Sequence, residues 1–227
     1  EFYEKEKLTP LKSVRPACEF MEKIPDYENK VCAWLDVPLS HGNEDRPGTS
    51  WRRQSEAKRI AREVTRLLNA CGSEVSIGVI TFYSAQRDEI FRQLAHHPSV
   101  TTRDEETREW QITEKWRRTP SGNERLRIGT VDAFQGKEFD IVLLSVVRAN
   151  AIRLPADQAG GLFEKAADGK YGHLRLSNRM NVAMSRQRSL LVAVGDRAMA
   201  RGRDAEAAVP ALAEFLKLCE GVHGLVR

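Results

Sequence analysis

Residues 139–147 read Phe-Asp-Ile-Val-Leu-Leu-Ser-Val-Val, an almost unbroken apolar run of strand length. A strand that faces solvent on one side would carry polar residues at every second position, so this strand is expected to be covered on both faces. Strands of that kind lie at the centre of parallel sheets. The run therefore predicts a parallel sheet with helices packed on both sides.

The segments on either side of this run alternate between strand and helix patterns. Apolar residues spaced three and four apart from Ala57 to Leu68 predict an amphipathic helix. A second helix is predicted to begin at Ser84 and to stop before Pro98. The remaining predicted elements are strands at 31–37, 75–80, 126–131 and 190–194, and helices from Ser177 and through Phe215 and Leu218. This alternation predicts the α/β class, in which ligands bind outside the carboxyl ends of the strands.

The composition is that of a folded protein rather than a disordered one. Of 227 residues, 41% are hydrophobic and 30% are charged, and the net charge of +4 does not by itself indicate a nucleic-acid partner. We predict one domain over 31–227, preceded over 1–30 by an extended segment that contains three prolines. The absence of an initiator Met suggests that the sequence is part of a longer protein.

Two stretches lack a clear period and are predicted to be variable insertions. The first, about 98–126, is polar, and a helix is expected around Trp110 and Trp116. The second, about 153–172, is rich in glycine and is predicted to be a mobile surface loop.

Cysteine usage and hydropathy restrict the cellular setting. The cysteines are far apart and form no Cys-x-x-Cys pair, which predicts reduced thiols and no metal site: Cys18, Cys32, Cys71 and Cys219. No apolar run approaches the ~18–20 residues that span a bilayer, and no signal peptide is visible. We therefore expect no membrane partner and no secretion, and a cytoplasmic location, or a nuclear one in a eukaryotic cell.

Three loops that follow predicted strands carry unusual polar residues: 81–86, 130–140 and 178–188. The second combines hydroxyl, carboxylate, amide and glycine, which suits phosphate binding, although an ordinary turn remains an alternative. In the third, Arg179 and Arg186 are expected to share a helix face near its carboxyl end. Compensation of the helix dipole explains one arginine there, whereas a guanidinium pair also suits a transferring phosphoryl group.

The residue order in these loops carries a family resemblance. Residues 131–140 read Val-Asp-Ala-Phe-Gln-Gly-Lys-Glu-Phe-Asp, and the chain continues as Ser-Val-Val-Arg-Ala-Asn to residue 150. Residues 178–188 read Asn-Arg-Met-Asn-Val-Ala-Met-Ser-Arg-Gln-Arg, and residues 80–86 read Ile-Thr-Phe-Tyr-Ser-Ala-Gln. These segments, near 80–86, 130–150 and 177–188, resemble motifs of the superfamily 1 helicases. The similarity is to the 5′-to-3′ branch that includes the nonsense-mediated-decay helicase, and Ser-Glu-Ala at 55–57 resembles a further stretch of that branch.

The motifs that are absent limit what this resemblance implies. The sequence contains no G-x-x-x-x-G-K-[ST] loop and no apolar strand that ends in an Asp-Glu pair. The resemblance therefore implies the second, C-terminal RecA-like domain alone, inactive in isolation. In that family, ATP with Mg²⁺ binds between two RecA-like domains, so the implied partners are an upstream RecA-like domain of the same polypeptide and single-stranded DNA or RNA.

Matching positions assign roles that rest on the resemblance. Arg186 would be the arginine finger on the γ-phosphate, and Glu138 would contact the ribose. Gln135 and Gly136 would couple the nucleotide to the nucleic-acid track, with Arg188 as a second nucleotide contact. The single-strand backbone would be held by a separate set: Thr81, Tyr83, Gln86 and Thr130.

Two functions of different classes fit these motifs. The favoured one is the motor domain of an ATP-driven helicase or translocase, acting on DNA or on RNA. The alternative is a non-hydrolytic module that binds nucleic acid or a partner through the same surface. A doubly wound methyltransferase in which residues 139–142, Phe-Asp-Ile-Val, supply the strand-end acid would need a glycine-rich loop after a first strand, and the sequence has none.

Overall fold

The computed structural model describes residues 24, 26–96, 100–157 and 160–227, so the segment predicted over 1–30 lies almost wholly outside it. The described residues form eight strands: β1 Cys32–Asp36, β2 Ile77–Thr81, β3 Thr101–Arg103, β4 Trp110–Ile112, β5 Leu126–Thr130, β6 Phe139–Ser145, β7 Gln187–Gly195 and β8 Gly224–Val226. Six of them form one sheet in the order β5-β2-β6-β7-β1-β8, and every neighbouring pair in it is parallel. The other two form a separate antiparallel hairpin.

Helices cover both faces of this sheet. They are α1 Gln54–Ala70, α2 Ser84–Ala95, α3 Glu114–Arg117, α4 Gly161–Tyr171, α5 Ser177–Met184, α6 Gly202–Ala208 and α7 Pro210–Cys219. The first three pack with one core and the last four with the other. Strand β6 lies inside the sheet, with Val142 and Leu144 in one core and Ile141 and Leu143 in the other. The structure confirms the α/β class and the parallel RecA-like sheet.

A very short crossover joins β5 to β6 across the intervening strand β2. Only the eight residues 131–138 connect the two strands, and the first four form a 3-10 turn. The ring of Phe134 lies fully buried against the sheet, where a Cβ on Gly78 would come within 2.9 Å of it and a Cβ on Gly129 within 3.3 Å. These two glycines allow the crossover to lie directly on the strands.

The two predicted insertions contain more regular structure than the sequence indicated. Trp110 lies in β4 of the hairpin rather than in a helix, because its ring stacks on Phe91 of α2 with centroids 6.1 Å apart. Trp116 does lie in a helix, the short α3. The glycine-rich stretch contains α4 rather than a continuous loop, since Phe163 and Tyr171 are buried in the core.

Helix α2 begins at Ser84 as predicted, although the hydroxyl of that residue does not cap it. Tyr83 precedes the helix, and the Oγ of Ser50 accepts a hydrogen bond from the amide of Ala85 over 3.1 Å. Within the described ranges, none of the helices combines the length and apolar character that a bilayer crossing requires.

Candidate functional site

The predicted site residues lie at opposite edges of the sheet. Thr81 pairs in register with Thr130 and with Ser145, all at the carboxyl ends of their strands. Phe139 pairs with Gln187 where both strands begin, which brings the flanking residues to the amino edge. Strands of five to seven residues separate the two edges by roughly 15–20 Å.

The expectation that all three loops lie at the carboxyl edge is therefore wrong for residues 135–138 and 186–188. The physical reason is the short crossover, which leaves the carboxyl edge at Thr130 and reaches the amino edge by Phe139. Consequently, the nucleotide candidates Gln135, Gly136, Glu138, Arg186 and Arg188 form one group at the amino edge, and the nucleic-acid candidates form another at the carboxyl edge.

Arg186 is held in the amino-edge group by main-chain and hydroxyl oxygens. Its Nε donates to the carbonyl of Val182 over 3.0 Å, Nη2 donates to Ser185 Oγ over 2.7 Å, and Nη1 donates to the carbonyl of Lys137 over 3.4 Å. In the described part of the chain, no carboxylate lies within ion-pair distance of this guanidinium. Its positive charge is thus oriented but not neutralised, which suits an anionic ligand.

The predicted sharing of a helix face by two arginines is wrong. Helix α5 ends at Met184, so Arg186 lies beyond it. Arg179 remains on the helix and donates through Nη2 to Asp132 Oδ2 over 3.2 Å. That contact ties α5 to the 3-10 turn of the crossover.

The rest of the amino-edge group is exposed to solvent. Gln135, Gly136 and Glu138 lie on the surface, and Gly136 adopts a φ of +71° that favours glycine. Glu138 accepts a hydrogen bond from Nε of Arg188 over 3.3 Å, and both side chains are about half exposed, so the pair contributes little stability. Beside them is a cleft of about 260 Å³ that is open to solvent and lined in part by Ser76.

The residues of this group fit part of a nucleotide site. An unneutralised guanidinium suits a terminal phosphate, and an exposed carboxylate and amide suit ribose hydroxyls. Since no P-loop or metal carboxylate pair is present in the sequence, Mg²⁺ and the remaining phosphates would need ligands from another domain.

The carboxyl-edge group is mostly buried. The Oγ1 of the fully buried Thr81 accepts a long hydrogen bond of 3.4 Å from the amide of Tyr83, whose own ring stacks on His173 with centroids 5.0 Å apart. Gln86 is also fully buried: its Oε1 accepts from the amide of Arg53 over 2.7 Å. Its Nε2 donates to Ser145 Oγ over 3.0 Å.

Only Thr130, half-buried at the end of the edge strand β5, has exposed surface among these four. Direct contact of Thr81, Tyr83 and Gln86 with nucleic acid stays a prediction. Their observed hydrogen bonds fix the start of α2 against the sheet and so orient the loops at the carboxyl edge.

A buried carboxylate beneath this edge received no role from the sequence. Glu56 of α1 accepts hydrogen bonds on Oε1 from Ser145 Oγ over 2.5 Å and from the amide of Val147 over 2.9 Å. Complete burial raises its pKa to about 7, while Arg53, 3.9 Å away, opposes the shift. Val147 has a φ of +70°, a costly conformation for a β-branched residue, and the bond to Glu56 helps to hold it.

The second missed residue is Arg148, which is 2% exposed. It forms an ion pair with Glu44 at 2.8 Å, lies over the ring of Trp51 at 4.4 Å, and donates to the carbonyl of Gly169 in α4 over 2.5 Å. The Ser-Glu-Ala resemblance at 55–57 and the position of Arg148 in the helicase-like segment 130–150 were the available signals, but neither indicated burial.

Comparison with known protein families identifies the family of this chain. The sequence profile of the AAA domain matches residues 1–198. The chain belongs to the AAA domain family. Among curated relatives of this AAA domain, a Regulator of nonsense transcripts 1 homolog from Neurospora crassa is 29% identical over 83% of the chain and 14% of its own length. RNA helicase Mov10l1 of Mus musculus is 32% identical over 68% of the chain and 11% of its own length.

These relatives confirm the resemblance to superfamily 1 helicases of the nonsense-mediated-decay group, so this AAA domain is a helicase-type domain. It spans only about an eighth of their length, as in ATP-dependent helicase NAM7 of Saccharomyces cerevisiae, which is 31% identical over 68% of the chain and 12% of its own length. A solved C-terminal domain of a possible DNA helicase from Lactobacillus plantarum covers 90% of the chain and is itself covered to 97%, with 11% identity and a TM-score of 0.45.

Proposed function

We propose that this AAA domain is the C-terminal motor domain of an ATP-dependent DNA or RNA helicase. In this function it supplies an arginine finger and part of the single-strand track. ATP with Mg²⁺ is bound jointly with a first RecA-like domain of the same polypeptide, which provides the P-loop and the metal ligands. The amino edge then faces the nucleotide, and the carboxyl edge faces the nucleic acid.

One observation carries the proposal: Arg186 is oriented by three neutral oxygens and has no carboxylate partner among the described residues. Surface arginines of this chain commonly pair with acids, as Arg175 does with Glu164 at 2.5 Å. A guanidinium left unpaired but fixed in direction is poised for an anion that arrives from outside the domain. A finger of this kind stabilises the charge on a transferring phosphoryl group and is worth ~10³–10⁵ in rate.

The crossover supports coupling between the two sites. It begins at Thr130 on the nucleic-acid side and ends beside Arg186 on the nucleotide side, where the amide of Phe139 donates to the carbonyl of Arg186 over 2.9 Å. Because Phe134 is packed tightly between these ends, movement at one edge is transmitted to the other rather than absorbed.

The test is ATP turnover by the full-length protein, with and without single-stranded DNA or RNA, beside Arg186→Ala. We expect nucleic acid to stimulate turnover, and the variant to lose about 10³-fold in kcat while it still binds nucleotide. The matched control is Arg201→Ala, since Arg201 is half exposed, pairs with Glu220 and lines neither edge group. Normal ATP turnover in Arg186→Ala would show that Arg186 is not the arginine finger. No ATP turnover in the wild type would favour the non-hydrolytic binding module.

A further inference from the structure

Another cleft, lined by four arginines, lies outside both edge groups, between α2 and the β3–β4 hairpin. It has a volume of about 520 Å³ and is open to solvent. Arginines from separate elements converge on it: Arg87 and Arg92 from α2, Arg103 from β3 and Arg108 from the hairpin turn. None of the helicase-like motifs includes these residues.

The charges in this cleft are unevenly balanced. Two carboxylates, Asp88 and Glu109, also line it, and Asp88 pairs with Arg87 at 2.7 Å. Across the described ranges, no ion pair involves Arg103 or Arg108, and both are exposed. Arg92 forms an ion pair with Glu89 of the same helix, so both α2 arginines are paired, and the two hairpin arginines supply the unpaired positive charge of the cleft.

Contacts with α2 hold the hairpin in place and orient Arg103 within it. The Trp110 ring stacks on Phe91 of α2 at an interplanar angle of 11°, and the Arg103 guanidinium lies over the same ring at 5.7 Å. Thr101 Oγ1 donates to the carbonyl of Phe91 over 3.1 Å, which ties the start of the hairpin to the helix. The guanidinium plane on an aromatic ring is the kind of surface on which a nucleobase stacks.

The turn of the hairpin is held by its own hydrogen bonds. Arg108 adopts a φ of +60°, a conformation that costs a non-glycine residue about 1–2 kcal/mol. It is held there because its amide donates to the carbonyl of Asp104 over 3.1 Å, while the amide of Asp104 donates to the carbonyl of Glu109 over 2.9 Å. The Nε of Arg103 also donates to the carbonyl of Arg108 over 2.8 Å.

The cleft continues the carboxyl edge rather than standing apart from it. Ile128, which lines it, precedes Thr130 by two residues on the edge strand β5, a distance of roughly 7 Å. A neighbouring cleft at the start of α2, lined by residues 47–50 and Ser84, shares Asp88 and Arg92 with it. A chain that leaves the carboxyl edge along α2 therefore reaches the hairpin without a break.

We propose that this arginine cleft, defined by Arg87, Arg92, Arg103 and Arg108, is a second binding site for single-stranded nucleic acid. It holds the phosphate backbone beyond the edge of the sheet, with Trp110 and Arg103 as a stacking platform, and it reads no sequence. An acidic peptide satisfies the charge but not the stacked planar surface, so the nucleic acid is favoured. The inference rests on the proposed function, because it extends the same track.

The test is binding of fluorescein-labelled oligothymidylate and oligouridylate to the full-length protein over a series of salt concentrations. The variant Arg103→Ala/Arg108→Ala removes two exposed side chains that lie outside both hydrophobic cores. The matched control is Lys58→Ala/Arg62→Ala, which removes the same charge from the exposed face of α1. Circular dichroism and ATP turnover without nucleic acid check that both variants are folded.

We expect the hairpin variant to bind at least about tenfold more weakly, and the control to change little. The salt slope of the hairpin variant should fall by about 0.7 for each backbone phosphate that it no longer binds. Equal weakening in both variants would overturn the site in favour of net charge, and no weakening would also overturn it. Labelled polyglutamate that binds the wild type as tightly as the oligonucleotides do, but does not bind the hairpin variant, would assign the cleft to acidic peptides instead.

These outcomes separate the two proposals. If the wild type binds oligonucleotide and its ATP turnover is stimulated, but the hairpin variant behaves like the wild type, only the second site fails. If the wild type binds no oligonucleotide and turns over no ATP, the proposed function fails.

Discussion

The Nη1 atom of Arg186 and the carbonyl oxygen of Lys137 are 3.4 Å apart and form a hydrogen bond. This bond joins two segments that are separated by 49 residues in the chain, the end of the crossover and the segment after α5. A second bond, from the amide of Phe139 to the carbonyl of Arg186, lies beside it. The direction of the guanidinium is therefore set by the crossover as well as by the carbonyl of Val182 in α5.

Arg186→Lys is expected to lower kcat for ATP by at least about 100-fold with little change in KM. Lysine keeps the charge, but one ammonium cannot contact both Val182 and Lys137 while it also reaches a phosphate. Steady-state ATP turnover by the full-length protein measures the effect, with Arg201→Lys as the control. Unchanged kcat would mean that charge alone is required and that the fork geometry is irrelevant.

Gly78→Ala is expected to lower the free energy of unfolding by about 1–3 kcal/mol, because the new methyl group would overlap Phe134 and Phe139 at 2.9–3.0 Å. Urea denaturation monitored by circular dichroism gives the value. Gly72→Ala is the matched control, since a Cβ there would meet no atom within 4 Å, and it should change stability by less than about 0.5 kcal/mol. Equal effects for both substitutions would contradict the close packing of the crossover.

Glu56 is expected to make the protein less stable as the pH rises from about 5 to 7. Its pKa is raised from 4.5 to about 7 in the folded state, chiefly by burial, so the folded state holds a proton that the unfolded state has released. The stabilisation from this group is complete below the unfolded pKa, and it falls by about 1.4 kcal/mol per pH unit until the folded pKa is passed.

Glu56→Gln should remove this component. The measurement is the difference in unfolding free energy between pH 5 and pH 7, for the wild type and for the variant. A difference that is identical in the two proteins would show that Glu56 ionises normally in the folded state.

Removal of one member of the buried Glu44–Arg148 pair is expected to destabilise the protein by about 3–5 kcal/mol, since it leaves an uncompensated charge. Arg148→Met and Glu44→Gln test this singly and together in a double-mutant cycle of urea denaturation. The double variant should recover much of the stability that the worse single variant lacks. Additive effects would show that the two side chains do not stabilise each other.

Much of the fold was predictable because its strongest signal is local. The apolar run at 139–147 identified the inner strand, and the three-and-four spacing from Ala57 identified α1, which the structure extends to Gln54–Ala70. Helix α4 was missed because Gly161 and Gly169 weaken the local pattern, and its stability comes from burial of Tyr171 against distant residues. The hairpin was missed for the same reason, since Trp110 is held by a ring from another element.

The candidate site was predictable in composition but not in arrangement. The resemblance to the helicase motifs identified Arg186 and Glu138 as site candidates. Their location at the amino edge, however, depends on the short crossover between β5 and β6, which is visible only in the structure. Burial of Gln86 and Glu56 was equally hidden, because a polar residue that contacts a ligand and one that is satisfied inside the protein look alike in sequence.

The crossover also determines where this protein can change its length over evolutionary time. Eight residues connect Thr130 to Phe139, and Phe134 among them packs closely against Gly78 and Gly129. An insertion or deletion in this short connection would therefore displace Phe134 or one of the two strands. The β3–β4 hairpin is not part of the six-stranded sheet, so residues can be inserted or deleted at its turn without a change in that sheet. Descendants of this sequence should therefore diverge in length at the hairpin turn while they keep the crossover unchanged.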